Sequence, residues 1–473
     1  MICRVLAAVL AAVAFLPCMA IPAQAATFDG AALTWPWALP FAGILLSIAV
    51  APVTAPSFWH HHFGKTSAFW ALAFLVPFAM YYGVDLALRA VVHTLLAEYV
   101  PFIILLLALF TVSGGIHIRG NLHGSAHLNT GILALGTALA SVMGTTGAAM
   151  LLIRPLLRAN DNRRHRAHVV MFFIFLVANI GGALTPLGDP PLFLGFLKGV
   201  DFFWTTKAML WPTLIASALL LALFYIVDAW FWRREDEARA PERDPTPDRP
   251  IRIDGKINFL FLLAIVIMVL LSGVWKSGVS VDIAGTTREL QGIVRDLSLL
   301  AIAWASWRLT PASVRHAHHF TWGPIVEVAK LFAGIFLTII PAIAMLRAGS
   351  EGALAPVIAL VTSADGRPND AVYFWVTGAL SSFLDNAPTY LVFFNLAGGD
   401  AVALMGTMAS TLTAISLGAV FMGANTYIGN APNFMVKSIA EARGVRMPSF
   451  FAYFGWAMLV LTPIYALITV LLF

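Results

Sequence analysis

The chain has 473 residues, 60% of them hydrophobic and 11% charged, with a formal net charge of +5. Soluble proteins carry about 25% charged residues, so this composition excludes a soluble globular chain. The apolar residues fall in runs of roughly 18–25, the length that crosses a bilayer as helix, and the fold class is an all-α polytopic membrane protein.

Residues 1–25 read as a secretory signal: Arg4, an apolar run from Val5 to Phe15, then Ala23-Gln24-Ala25 as a small-x-small cleavage site. Both cysteines, Cys3 and Cys18, lie within it. Cleavage leaves a mature chain starting at Ala26, with no thiol or disulfide chemistry; the alternative is an uncleaved first helix. Spans are expected near 36–55 and 66–83. Residues 84–98 mix Asp85, Arg89, His93 and Glu98 with apolar residues, the pattern of a helix lying along the interface. A span at 99–116 follows. The apolar stretch 131–158 is interrupted by Gly144-Thr145-Thr146-Gly147. Its two arms, of about 13 and 11 residues, are each too short to cross, which predicts a re-entrant helical hairpin. A discontinuous helix at 168–198 and a span at 208–232 complete a first transmembrane repeat, 26–232.

Residues 233–256 hold seven basic residues, seven acidic residues and four prolines, and read as a solvated cytoplasmic linker. The second repeat, 257–473, follows the same order. It has spans at 257–275 and 290–308, interfacial residues at 311–328, and a span at 329–346. A hairpin at 371–398 breaks at Asp385-Asn386-Ala387-Pro388; a discontinuous helix at 404–441 and a last span at 450–472 complete it. With residue 36 outside, the inside loops carry nineteen Lys and Arg and the outside segments seven. That bias obeys the positive-inside rule and makes the halves inverted repeats, an architecture of secondary transporters.

The most informative stretch is Ala178-Asn179-Ile-Gly-Gly-Ala-Leu-Thr185-Pro186-Leu-Gly188-Asp189-Pro190-Pro191. Proline removes backbone donors and glycine weakens helix, so the helix breaks here. Broken backbone survives at membrane depth only where protein or a water-filled cavity covers it. A second break, Asn425-Thr426-Tyr-Ile-Gly429-Asn430-Ala-Pro432-Asn433, lies 241 residues on. Ser141–Thr146 aligns with Ser381–Asn386 at an offset of 240, which pairs Thr145 with Asp385. Interrupted helices at matching places point to a midplane binding site.

Asp189 and Asp385 are the acidic residues at these breaks. A carboxylate at membrane depth costs about 2.5–3.5 kcal/mol on insertion scales, so such groups mark ion or proton paths. Each can also cap a half-helix, and the two roles are compatible. Asn179, Thr185, Asn386, Asn425, Thr426 and Asn430 add neutral oxygens, which with a carboxylate suit a hard cation such as sodium. Half-helix N-termini favour a substrate carboxylate instead. Thr145 and Thr146 either join the site or bond back to their own helix. Glu327 and Lys330 are spaced to pair on one helix face. His60-His61-His62 are adjacent and not at helical ligand spacing, and His123 and His127, four apart, lie in a polar loop without the glutamate of a His-Glu-x-x-His motif, so no zinc site is expected. Arg154, Arg158, Arg163, Arg164 and Arg166 read as a topology anchor that can touch anionic lipid. No Walker, Rossmann or nucleophile-elbow motif occurs, which argues against an ATP-driven pump and against an enzyme; no cofactor or nucleic-acid partner is expected.

The three motifs around Asn179–Pro191, Ser381–Pro388 and Asn425–Pro432 resemble those of the ion transporter superfamily, in its ArsB/NhaD-like branch. The first stretch is most similar to NhaD-type sodium/proton antiporters and to related citrate-transporter-like proteins, and the layout agrees over about 35–473. The resemblance implies a homodimer, two hairpins meeting two broken helices, and ion-coupled, elevator-like movement. One feature departs from it: such antiporters tend to carry an Asp-Asn pair at the first hairpin tip, where this chain has Thr145-Thr146. The Ser-Asn-Thr tips of the dicarboxylate branch are absent as well. The leading expectation is a sodium/proton antiporter of the bacterial inner membrane. Asp385 and Asp189 would exchange sodium for protons, with Asp385 the main titrating group. The alternative is a cation- or proton-coupled carrier of citrate or another carboxylate.

Overall fold

A computed structural model describes residues 29–121, 123–234, 249–363 and 366–473. The expected signal, 1–25, and most of the linker lie outside the described residues. Nine helices among those described are long and apolar enough to cross a membrane.

Each half supplies three frame elements. In the first half these are α1 (Leu39–Thr54), α2 (Pro56–Tyr82) and α3 (Val84–Ser113). In the second they are α9 (Ile257–Val274), α10 (Leu290–Leu309) and α12 (Gly323–Arg347), with the short α11 (Ala312–Ala317) before α12. The third frame helix of each half packs against the first two of the other: α3 against α9 and α10, and α12 against α1 and α2. The crossing point is aromatic, with Phe102 set 4.8 Å from Phe332 and 5.8 Å from Phe336. Tyr99 donates its hydroxyl to the Ala329 carbonyl across it at 2.8 Å. The frame's outward surface is apolar, as a lipid-facing surface requires.

The remaining elements form the core. In the first half α4 (Ala126–Met143) and α5 (Thr145–Ala159) fold back on each other, and Gly124 N–H reaches the Ala159 carbonyl, so the two free ends meet. The turn between them is made by Gly144 at φ +81°, a conformation that side chains disfavour. α6 (Ala167–Leu176), a 3₁₀ turn at Ile180–Leu184 and α7 (Pro190–Leu197) form the broken helix, and α8 (Phe202–Trp232) closes the half. In the second half α14 (Asp370–Phe383) and α15 (Asn386–Leu396) pair, after a short α13 (Ala355–Leu360). A short α16 (Ala401–Met405) leads into α17 (Ala409–Met422), a 3₁₀ turn at Gly423–Asn425 and α18 (Ala431–Ala442), then α19 (Phe450–Leu472). The broken segment Ala167–Leu184 is the most enclosed of the candidate spans, and α1 and α2 are the least. Freed backbone polar groups need protein around them; intact helices do not.

Several expected boundaries are corrected. Residues 56–65, expected as a loop, are the start of α2, because Pro56 is preorganised for the first turn and the chain bends only at Ala55. Residues 84–98 do not form a separate interfacial helix. They run straight into α3 through one π turn at Leu95–Tyr99, since no proline or glycine interrupts 84–100 and Glu98 finds an ion-pair partner, Lys198, inside the protein. The arms of the first hairpin are longer than expected, 18 and 15 residues. Residues 311–328 divide between α11 and the start of α12. The linker's end is not free. β2 (Arg249–Asp254) pairs antiparallel with β1 (His117–Asn121), and Arg119 forms an ion pair with Asp254. β3 (Ser280–Ile283) and β4 (Thr286–Glu289) form a second, separate hairpin.

A buried charge network pins the base of the first hairpin. Asp228 on α8, fully buried, binds Arg163 Nη1 at 2.6 Å, His168 Nε2 at 2.7 Å and Asn129 Nδ2 at 2.9 Å. Asn129 also pairs with Asn160 in both directions. Asp228→Ala leaves Arg163 buried without its counter-charge, which costs about 3–5 kcal/mol. The loss should show as a lowered unfolding midpoint in detergent; a change below about 1 kcal/mol, the scale of an exposed pair, would mean the pair does not hold this corner.

Candidate functional site

The four breaks meet at Asp189. Its carboxylate accepts from Thr145 Oγ1 at 2.9 Å, from Asn430 Nδ2 at 3.1 Å and from Asn386 Nδ2. Thr145 opens α5, Asn386 opens α15, and Asn430 precedes α18, so one side chain gathers both hairpin tips and the second helix break. Asp189 occupies the N-cap position of α7 yet makes no capping bond with its side chain. Asp385 does: its Oδ1 accepts from Ala387 N–H at 3.0 Å, at the start of α15. The two carboxylates line one cavity.

A second layer of amides supports the first. Asn179 Nδ2 donates to Asn433 Oδ1 at 2.7 Å and to the Ile174 carbonyl at 2.8 Å. Asn430 Nδ2 also reaches the Ala178 carbonyl at 3.1 Å and Asn179 Oδ1 at 3.3 Å. Asn433 in turn donates to the carbonyls of Gly423 and Thr426, groups freed by the break. Asn386 Oδ1 is buried with no donor, an amide oxygen left available beside Asp189.

The two halves build this arrangement with the same parts at one offset. Thr185 Oγ1 donates to the Ser141 carbonyl at 2.5 Å, and Thr426 Oγ1 to the Ser382 carbonyl. Gly188 packs on Gly182 and Gly429 on Gly423 so closely that a Cβ at either would strike a carbonyl. The offset is 241 in each case, hairpins included, which corrects the 240 read from the sequence. Thr145 therefore matches Asn386, and the partner of Asp385 is Gly144, whose positive φ keeps that position without a side chain. α5 packs on α18 as α15 packs on α7.

A cavity of about 390 Å³ opens beside the cluster. Thr145, Thr146, Asp189, Asp385 and Asn430 line it, and Glu327 and His60 stand further along its wall. No lysine or arginine is among its described lining. Four half-helices, α5, α7, α15 and α18, begin here, and their N-terminal ends carry partial positive charge. At the C-terminal end of α7, Lys198 pairs with Glu98 on α3 and joins frame to core.

Of the residues expected at the site, Asp189, Thr145, Asn386, Asn430 and Asn179 form one network, while Asp385 and Thr146 face the cavity. Thr185 and Thr426 donate instead to the carbonyls of Ser141 and Ser382 on the adjoining hairpin arms, and Asn425 to the Ser382 hydroxyl. Glu327 and Lys330 do not pair: Glu327 lines the cavity and Lys330 Nζ lies over the Phe63 ring at 5.5 Å. Asn433, Ser141 and Ser382 were not singled out. The two serines carry a legible signal, since each lies 44 residues before the threonine that it holds.

Spanning helices around a covered double break with a buried carboxylate at its centre define a membrane transport protein. The chain belongs to the family described as "Putative citrate transport", whose profile matches residues 30–473. Among curated proteins it is similar to an uncharacterized transporter of Mycobacterium tuberculosis, 26% identical over 327 residues, 66% of this chain and 69% of that one. A 46 kDa membrane protein of Mycobacterium leprae is 26% identical over 335 residues, covering 68% and 71% of the two chains.

Proposed function

We propose that the chain is a secondary active ion transporter of the bacterial plasma membrane that exchanges sodium for protons by alternating access. The observation that carries this reading is the cavity wall: Asp189, Asp385 and Glu327 face it and no described lysine or arginine does. Such a wall attracts cations. Asp189, the unpartnered Asn386 oxygen and Asp385 offer oxygen ligands of the kind hard cations take. In this reading the halves are inverted repeats, the paired helices are re-entrant hairpins, and the core moves against the frame within a homodimer. Glu98–Lys198 then closes one side while the cavity opens the other.

A second reading, coupled transport of citrate or another carboxylate, is favoured by the family description and by the four half-helix N-termini that converge on the site. One experiment separates the two. Protein in liposomes with an internal pH dye is given sodium, lithium or potassium outside, and labelled citrate in parallel. Antiport gives interior alkalinisation on sodium addition without citrate. Citrate uptake with no cation–proton exchange overturns antiport in favour of the carboxylate carrier.

A further inference from the structure

We propose that a pocket between α10 and α11, away from the transport cavity, binds the phosphate of an anionic phospholipid headgroup. The pocket encloses about 460 Å³, and Trp307, Arg308, Thr310, Arg315, His316 and Phe320 are among its lining. No carboxylate is among its described lining. Arg315 is only 6% exposed and makes no ion pair among the described residues. Its Nη1 donates to the Thr111 carbonyl at 2.9 Å, and its Nη2 to the Ser306 carbonyl at 3.0 Å and the Ser306 hydroxyl at 3.1 Å. Its guanidinium lies over the rings of Trp307 at 4.8 Å and Phe320 at 5.3 Å. All of these partners are neutral. A buried cation ordinarily has a counter-charge, and here burial alone acts on the group, pushing its pKa down to about 10.

Arg308 and His316 are exposed at the same pocket, where Arg308 adds positive charge and His316 a ring nitrogen that can hydrogen-bond a phosphate. The neighbouring surface distinguishes a lipid from a free anion. Leu309 and Trp304, both more than half exposed, adjoin the pocket on α10, and Arg308 lies over the Trp304 ring at 5.9 Å. Exposed tryptophan beside arginine at the end of a long frame helix is the arrangement found at headgroup level. Phosphate then meets Arg308, His316 and the field of Arg315, while acyl chains lie along Trp304 and Leu309.

The test uses the full-length protein in detergent, by native mass spectrometry with phosphatidylglycerol or phosphatidylcholine added, and by thermal shift with the same lipids or inorganic phosphate. Wild type should retain phosphatidylglycerol in preference to phosphatidylcholine. Arg308→Gln with His316→Gln alters only exposed side chains, so the fold should hold, and it should weaken phosphatidylglycerol binding by about tenfold, the effect of removing surface charge at a headgroup. Arg315→Gln should weaken it as well if that variant folds. Equal retention of phosphatidylglycerol by the double variant overturns the site. Equal binding of phosphatidylcholine overturns the anionic requirement, and stabilisation by inorganic phosphate as large as that by lipid overturns the lipid assignment.

Discussion

Asp189→Asn should fold normally and lose transport. In the wild type three donors converge on the Asp189 carboxylate: one hydroxyl and two amides. Asparagine keeps one acceptor oxygen and turns a donor toward Asn386. The conflict is repairable, because the buried Asn386 Oδ1 has no donor of its own and a flip of that amide presents it to the new NH2 group. The fold therefore survives while the charge is lost. Losing one partner of a buried charge contact costs about 3–5 kcal/mol, or roughly 10²–10⁴-fold in cation affinity. Asp189→Ala is different in kind. It strands three donors in the interior at about 1–3 kcal/mol each and should lower stability as well as flux. Size-exclusion profiles and unfolding midpoints separate the two effects. Wild-type flux from a well-folded Asp189→Asn protein would remove Asp189 from the ion path.

Asp385→Asn should keep the fold and lose sodium-dependent proton movement. The Asp385 side chain caps α15 through Ala387 N–H, and asparagine caps about as well as aspartate. What the substitution removes is the only ionisable group at either hairpin tip, since the matching position is Gly144. Sodium-dependent proton movement in liposomes should fall to background while the unfolding midpoint stays within the few tenths of a kcal/mol expected of a retained cap. Asp385→Ala also loses the cap, at a cost of about 1 kcal/mol. An Asp385→Asn protein with unchanged rate and pH profile would place proton coupling elsewhere, with Asp189 the first candidate.

Chain order and breakpoints were legible in the sequence because their causes are local. Glycine and proline interrupt helix wherever they fall in apolar sequence, so the breaks at Ile180–Pro190 and Gly423–Pro432 could be placed within a few residues. Apolar run length likewise placed α8, α9 and α19. Errors arose where a distant partner decides. A span holding Asp85, Arg89, His93 and Glu98 reads as interfacial until Lys198, 100 residues away, is seen to neutralise Glu98. Likewise, the end of a polar linker reads as solvated until it pairs with β1.

The sequence by itself determined that this chain is a polytopic helical membrane protein with two similarly ordered halves, each broken at one helix and one hairpin. Only the tertiary structure decided which polar groups meet. The donors to Asp189 lie 44, 197 and 241 residues away in the chain; the repeat offset of 241 says which positions are equivalent, and not that they touch. The same contacts distinguish the two carboxylates, making Asp189 the hub of the network and Asp385 the cap that faces the cavity. An aspartate before a proline-bearing half-helix fits either role by its own chemistry, and the donors that the fold delivers to it settle which one it takes.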